Sequence, residues 1–345
     1  FQEAYERRAA AVTVLRTHAD SEPCPLGRGL LLLSEPAWTL DRPAEARAEI
    51  QEAIDVFERA GRHDLLGLAY DRMLAVSESP RDHEHWYATT TEWRAENRDA
   101  PDEAVAITIR SRYLSRVYGE HDRAVATVNA ALALDRGAHG YRPRVAETLL
   151  TAAEIHADAG HLETAADHVE QYLRGSSPGS SSSPGPSSSP GPSSNPGAGW
   201  SWNVHPVANR AGPGEPLALK AHLAILRGDE DVEWSLGPTT AAACTHRGLL
   251  LRAETLRLRG SHGAARSCVD EALVRVQRER VGLDRAVWRS RALVAAAEVS
   301  LTERDAARAL AELHTAIAHA VGWHLLPSLL DAFTVACALL PPALA

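Results

Sequence analysis

A sixteen-residue segment recurs along the chain, and this internal repeat limits the possible folds more than any other feature. In its clearest copy, Gly119 is followed by small or apolar residues at Ala124, Val128, Ala131 and Leu132. These four positions share one face of an α-helix, because the helix has 3.6 residues per turn. The segment therefore predicts a tight turn at Gly119, followed by a helix that buries this face.

The other copies set the period of the repeat. Their turn positions are Asp41, Arg81, Gly160, Gly260 and Arg304. The matching apolar positions are Ala46, Ile50, Ala53 and Ile54; Trp86, Thr90 and Trp93; Ala165, Val169, Tyr172 and Leu173; Ala265, Val269, Ala272 and Leu273; and Ala309, Leu313, Ala316 and Ile317. Successive turns are 40, 38 and 41 residues apart up to Gly160, and 44 apart after Gly260. A period of this length is typical of stacked helical units that bury their apolar faces against one another.

Periodicity and composition agree on the fold class. The helical pattern is strongest in eight segments: 44–60, 104–118, 122–134, 145–159, 162–173, 249–258, 264–276 and 306–320. Hydrophobic residues make up 45% of the chain, but aromatic residues only 5%, so Ala and Leu supply most of the apolar surface. This balance favours helices over a β-sandwich or barrel. We expect an all-α protein, a right-handed α-solenoid of helical hairpins.

The repeat resembles the tetratricopeptide-repeat superfamily, in which a Gly at the turn precedes a helix with small and apolar residues at these spacings. Its period of about forty residues is similar to that of helical arrays in large bacterial transcription regulators of the maltose-regulator and antibiotic-regulatory-protein types. The resemblance implies a sensor of a small molecule or partner protein. We expect neither the nucleotide-binding nor the DNA-binding companion of those regulators within this sequence. In particular, Lys220 lacks the glycines of a phosphate-binding loop.

A low-complexity segment divides the chain. Residues 175–199 comprise 11 Ser, 6 Pro, 6 Gly, one Asn and one Ala, a composition that predicts a flexible linker. We expect repeat domains at 1–174 and 200–345. The first part has a net charge of −10 and the second of +1, so the two parts should attract each other.

Extrapolating the repeat register gives a candidate binding groove. In a tetratricopeptide array the first helix of each hairpin lines the concave face, which accommodates a helix or an extended peptide. The polar residues that fall on this face are Asp71, Tyr113, Arg116, Glu147, Glu154, Asp158, Arg247, Glu254, Arg257, Arg291 and Glu298. The alternative interpretation is a solvated helix face with local ion pairs, such as Glu254 with Arg257.

Several other classes of function are disfavoured. The net charge is −9 and no run of cations forms a stripe, so we expect no direct nucleic-acid binding. The four cysteines are far apart, and the sixteen histidines show no zinc-ligand spacing, so we expect no disulfide framework, metal or cofactor. The first twenty residues do not resemble a signal peptide, and the most apolar tail is too short to span a membrane. A cytoplasmic location is expected.

We therefore expect a non-enzymatic module that binds a protein, a peptide or another ligand, as the sensor or scaffold part of a bacterial regulatory protein. Two alternatives remain open. In the first, the chain is an enzyme or biosynthetic accessory factor in which Glu154 and Asp158, four residues apart, act as general acid or base. In the second, it is a homodimerisation or domain-coupling segment that uses the opposite charge of its two parts.

Overall fold

A computed structural model of the chain describes residues 2–19, 23–97, 103–137, 142–176, 214–227, 245–279 and 282–339. All regular structure in these ranges is helical. The helices are α1 (Gln2–Arg16), α2 (Pro23–Thr39), α3 (Pro43–Arg59), α4 (His63–Ala75), α5 (Pro80–Glu96), α6 (Glu103–Tyr113) with a π-helical turn (Leu114–Tyr118), α7 (His121–Gly137), α8 (Arg142–Asp158), α9 (Leu162–Ser176), α10 (Gly214–Arg227), α11 (His246–Leu258), α12 (His262–Glu279), α13 (Gly282–Thr302), α14 (Ala306–Gly322) and α15 (Leu326–Cys337).

Five of the six predicted turn positions join the two helices of a hairpin through a residue in the left-handed conformation. They are Asp41 (φ 63°), Gly119 (φ 68°), Gly160 (φ 79°), Gly260 (φ 74°) and Arg304 (φ 63°). A left-handed residue is a common way to end a helix, because its backbone then satisfies carbonyl groups of the last turn. The predicted repeat register is thus confirmed at these five turns.

The sixth predicted turn, at Arg81, is wrong because this residue lies in the first turn of α5. Ser79 caps that helix, and its hydroxyl oxygen accepts a hydrogen bond from the backbone N–H of Asp82 at 3.1 Å. Pro80 follows at the first helical position, where its fixed φ favours helix initiation. A serine cap therefore starts α5 three residues earlier than the repeat register predicts, because the other second helices begin two residues after their turn residue.

The helices pack on their neighbours in chain order, and the small residues of the repeat lie in the contacts. Ala46, Ala124, Ala165, Ala265 and Ala309 occupy the same repeat position, and all are fully buried. Side chains this small let the two helices of a hairpin approach closely. First helices also contact each other along one side, from α4 to α6 to α8 and from α11 to α13 to α15. The fold is an all-α solenoid of tetratricopeptide-like hairpins.

The eight predicted helical segments are all helical, but several other helices were not found from the sequence. Both sides of α13 are covered, so Trp288, Ala292 and Val299 are buried together with many other residues around its circumference. A helix buried on several sides does not show the one-sided apolar pattern that makes a surface helix recognisable. In α2, an apolar run from Leu30 to Leu33 hides the period in the same way.

The predicted linker, 175–199, lies outside the described residues except for Gly175 and Ser176, which are the last two residues of α9. The proposed division into two repeat domains therefore stays a prediction. The described helices on either side of it are nevertheless in contact. Tyr113 and Val117 share a hydrophobic cluster with Ala286 and Leu325.

Candidate functional site

Five of the predicted groove residues meet at the centre of the face formed by the first helices. Arg116 comes from the π-helical turn, Glu154 and Asp158 from α8, Arg247 from α11 and Arg291 from α13. We call this group, together with Asp284 of α13 and Glu215 of α10, the central ion network. It joins residues that are far apart in the sequence.

The first branch of the network alternates cations and carboxylates. Arg116 pairs with Asp284 and with Oε2 of Glu154, the latter at 2.5 Å. The other carboxylate oxygen of Glu154 accepts from Arg247 at 2.5 Å, and Arg247 also donates from Nε to Glu215 at 3.3 Å. Because each Arg touches two carboxylates, the charges compensate each other away from water.

The second branch connects Asp158 with Arg291. Arg291 donates to Oδ1 of Asp158 at 3.1 Å, and the hydroxyl of Ser115 donates to Oδ2 at 3.3 Å. The indole of Trp288 links the two branches, because the guanidinium groups of Arg247 and Arg291 lie 4.6 and 5.1 Å from its centroid. A buried aromatic face stabilises nearby cations by cation–π attraction.

The π-helical turn positions Arg116. It runs from Leu114 to Tyr118 and ends at the left-handed Gly119. Tyr113 and Val117 are buried in the hydrophobic cluster shared with α13 and α14, while Arg116 reaches the carboxylates of α8 and α13. The π-helical turn extends the C-terminal end of α6 and is wider than an α-helical turn, so its side chains point in different directions from those of a continued α-helix. Here the turn places the guanidinium group of Arg116 in the central ion network.

The network shifts the pKa values of its members in the directions expected for compensated buried charges. Burial by itself would lower the pKa of Arg116, but Glu154, Asp284 and Asp158 raise it above its ordinary value. Burial would raise the pKa of Asp158, but Arg291, Arg116 and Arg247 lower it below its ordinary value. Nearby opposite charge therefore outweighs desolvation for both groups.

His222 of α10 responds differently because its strongest electrostatic neighbours are cations. Burial, together with the positive charges of Arg247 and Arg291, lowers the pKa of His222 to about 4, although Asp158 acts in the opposite direction. The imidazole is therefore neutral at pH 7. It adds no further positive charge to the centre.

Several ion pairs connect the part of the chain before the predicted linker with the part after it. In most of these pairs the acid lies before the predicted linker and the cation after it: Glu154 with Arg247, Asp158 with Arg291, Asp41 with Arg285, Glu163 with Arg227 and Glu170 with Lys220. The pair of Arg116 with Asp284 has the opposite polarity. The predicted attraction thus occurs within one chain.

An open cleft lies beside the network, between α13 and α15. Its volume is about 310 Å³, and it is lined by Arg291, Val294, Ala295, Glu298, Asp331, Thr334 and Val335. Arg291 is already paired with Asp158. Among the described residues, neither Glu298 nor Asp331 forms an ion pair. We call this site the acidic cleft.

Both carboxylates of the acidic cleft are harder to ionise than usual. Desolvation raises the pKa of Glu298, and the negative charge of Glu254 raises it further. Desolvation also raises the pKa of Asp331, against the opposing effect of Arg291. A carboxylate in this condition is stabilised by any cation that enters the cleft.

The remaining predicted groove residues do not join either site. Asp71 pairs with Arg94 at 2.7 Å in a buried contact between α4 and α5. Tyr113 stacks on His83, with ring centroids 3.6 Å apart. Glu147 lies 3.7 Å from Arg112. Glu254 and Arg257 form a local ion pair on α11 at 2.6 Å, as the alternative interpretation of the sequence holds.

Three carboxylates and one indole of these sites were missed by sequence reasoning. They are Glu215, Asp284, Trp288 and Asp331. Asp284 follows Gly282, which has a positive φ of 54°, so a Gly before an acidic first turn was the available signal for the start of α13. For the other three no local pattern was available, because their partners come from distant helices.

Two properties of the described part of the chain concern metal ions and membranes. No group of three or more His, Cys, Asp or Glu side chains there is arranged to hold a metal ion. In the same residues, no helix is both long and apolar enough to cross a membrane.

Comparisons with known proteins give little further information about the fold. No protein-family profile matches the chain, and no curated protein matches it in sequence. Among solved structures, the crystal structure of the tetratricopeptide-repeat domain of P58(IPK) matches over 96% of this chain and 94% of that chain, with 13% identity and a TM-score of 0.25. Because this TM-score is low, the assignment to tetratricopeptide-like hairpins rests on the turns and packing of the chain itself.

Proposed function

We propose that the chain is a non-enzymatic interaction module that binds a segment of a partner protein at the acidic cleft. The observation that carries this proposal is the contrast between the cleft and the central ion network. The carboxylates of the network are paired with arginines, whereas Glu298 and Asp331 line an open cleft and form no ion pair with any residue that the structure describes. The cleft lies on the face formed by the first helices, and its two carboxylates are available to a cationic group of a partner.

The chemistry of the cleft favours a basic side chain. Val294, Ala295 and Val335 give it apolar walls, and the two carboxylates give it negative charge. The aliphatic part of a Lys or Arg side chain packs on such walls while its charged end reaches an acid. The partner is therefore a protein or peptide segment with an exposed Lys or Arg. Nucleic acid and anionic membrane surfaces are disfavoured by the same charge.

Catalysis by the two acids considered from the sequence is not supported. The oxygens of Glu154 accept from Arg116 and Arg247, and Asp158 accepts from Arg291 and Ser115. A general base needs a carboxylate that is free to take a proton, and the low pKa of Asp158 opposes this role. These contacts support a structural role for the two residues.

A small organic cation is a second candidate ligand. The cleft volume of about 310 Å³ is at the lower end of the range of small-molecule sites.

For either ligand, the repeat period near forty residues supports a role as the sensor or scaffold part of a bacterial regulatory protein. The contacts between the two parts of the chain support coupling within one molecule rather than a homodimer.

Binding of labelled peptides by fluorescence anisotropy tests the proposal. A peptide with a single central Arg should bind the native chain, and the same peptide with Glu in its place should not. In the double variant Glu298→Gln, Asp331→Asn we expect binding at least tenfold weaker. A matched control, Glu92→Gln, Glu96→Gln, makes the same change of net charge on exposed residues of α5 and should leave binding within twofold. Equal losses in both variants would contradict the proposal.

A further inference from the structure

Glu49 of α3 is a buried carboxylic acid at the contact between α1 and α3. It is 8% exposed, and its Oε2 atom is buried without a hydrogen bond from any residue that the structure describes. Burial without a donor costs a carboxylate much more than it costs the protonated acid. The position of Glu49 therefore favours the neutral acid.

Polar side chains of α1 bind the acids on either side of Glu49. The hydroxyl of Tyr5 donates to Oε2 of Glu45 at 2.8 Å, and Arg16 donates to the two carboxylate oxygens of Glu52 at 3.0 and 2.6 Å. Glu45 and Glu52 are four residues before and three residues after Glu49, so the three acids lie on one side of α3. Glu49 thus lies between two acids that already bind α1.

The surroundings of Glu49 oppose its ionisation. Burial is the largest effect, and together with the negative charges of Glu45 and Glu52 it raises the pKa of Glu49 to about 7, although Arg16 acts in the opposite direction. Arg16 is itself paired with Glu52. The pKa values of Tyr5 and Arg16 are both raised in part by the charge of Glu49, so this acid faces α1.

The acidic side chains of α2 and α4, the helices that flank α3 in the chain, pair elsewhere. Their ion pairs are Glu35 with Arg8, Asp64 with Arg62, and Asp71 with Arg94. The charges that act on Glu49 are those of Arg16, Glu45 and Glu52, and among the described residues no charge of α2 or α4 contributes. The protonation state of Glu49 is therefore linked to α1 and to its own helix.

We propose that Glu49 forms a pH-sensitive contact, in which the protonated acid holds α1 on α3 and the ionised acid loosens α1. Val12 of α1 is buried in the apolar cluster of α2, α3 and α4, and Leu15 packs against the same cluster. Loosening of α1 therefore exposes part of this apolar surface. The inference goes beyond the proposed function and concerns a different part of the chain from the acidic cleft.

The direction of the pH effect follows from the raised pKa. When α1 moves away, Glu49 is solvated and its pKa returns towards the ordinary value of 4.5. The stabilising contribution of the protonated acid is thus complete below pH 4.5 and is lost as pH rises to about 7. We expect the equilibrium that holds α1 in place to weaken at least about tenfold between pH 5.5 and 7.5.

Hydrogen–deuterium exchange of the full chain at pH 5.5 and 7.5, corrected for the intrinsic exchange rate at each pH, tests the proposal. Protection of the α1 amides should fall at least tenfold, while that of α7, the internal reference, changes less than threefold. In Glu49→Gln, a neutral isostere, protection of α1 should also change less than threefold. Two controls should keep the native response: Glu58→Gln, an exposed acid of α3, and His18→Gln, an exposed titratable residue just after α1.

Three exchange results would overturn the proposal: the same pH response of α1 in Glu49→Gln as in the native chain, loss of the response in His18→Gln, or equal changes in α1 and α7. Carbon-13 NMR of the Glu49 carboxyl group provides a second measurement in the native chain. Its titration midpoint should lie near pH 7. A midpoint below about pH 5 would reject the proposal even if α1 exchanged as expected, because the acid would then be ionised throughout the range.

Discussion

The centre of the face formed by the first helices and the end of this face at α15 use the same residue types to different effect. At the centre, Arg116, Arg247 and Arg291 neutralise Glu154 and Asp158, and the pKa of Asp158 is low. At the end, Glu298 and Asp331 have no ion pair among the described residues, and their pKa values are raised. At the centre, ion pairs between carboxylates and arginines connect helices that are distant in the chain. In the acidic cleft, a cationic ligand can neutralise the two carboxylates.

The largest effect should come from removing a cation of the centre. In Arg116→Ala, Glu154 and Asp284 stay buried without this partner, and we expect a loss of about 3–5 kcal/mol in the free energy of unfolding. Urea unfolding followed by circular dichroism measures it. The matched control is Arg123→Ala, which removes an exposed ion pair with Glu120 and should cost less than about 1 kcal/mol. Similar losses would show that the centre is no more important than the surface.

The second effect tests how closely α2, which carries Trp38, approaches the start of α13. Gly282 has a φ of 54°, and a Cβ at this position would overlap the indole ring of Trp38. We expect Gly282→Ala to lower the free energy of unfolding by about 1–3 kcal/mol, because both the backbone and the packing oppose the methyl group.

Gly160→Ala is the control for this prediction. Gly160 has a φ of 79°, but a Cβ there meets no atom within 4 Å. It isolates the backbone contribution, of about 1 kcal/mol. If Gly282→Ala lowers the free energy of unfolding no more than Gly160→Ala does, then α2 and α13 are not in close contact in solution.

The third effect is a pH dependence of opposite sign at the two sites. A raised pKa in the folded state favours the protonated acid, so this contribution to stability is complete below the unfolded pKa and is lost as pH rises through the folded value. Glu298→Gln, Asp331→Asn should therefore be more stable than the native chain at pH 7, and the difference should vanish in acid. Thermal unfolding across pH 3.5–7.5 measures it.

Asp158→Asn should behave in the opposite way. The folded pKa of Asp158 is low, so its contribution to stability is present at neutral pH and is lost as pH falls through the folded value. The variant should be less stable than the native chain at pH 7, and this loss should shrink in acid. The same sign for both variants would refute the contrast between centre and end.

The smallest effect concerns a predicted groove residue outside both sites. Arg257 pairs with Glu254 three residues away on the same exposed helix surface. We expect Arg257→Ala to change the free energy of unfolding by about 0.5 kcal/mol or less. The same variant should bind the Arg-containing peptide as the native chain does. A tenfold change in that binding would extend the acidic cleft onto α11.

Residues of the repeat show which features of the structure the local sequence can predict. The spacing of Ala124, Val128 and Ala131 predicts which face of α7 is buried, and the turn at Gly119 follows from the same pattern. The spacing could not reveal that Arg116 meets Asp284, because 168 positions separate them. It also could not show that Asp158 has an ion pair while Glu298 has none within the described ranges, since both acids satisfy the same groove register.

The sequence by itself determined the helical class, five of the six predicted turn positions and the faces that pack within those hairpins, because these depend on residues within a few turns of one another. Only the tertiary structure decided which groove residues neutralise each other and which remain available to a ligand. The physical reason is that pairing of buried charges depends on distances of a few ångströms between helices that are distant in the chain, and local periodicity carries no information about those distances.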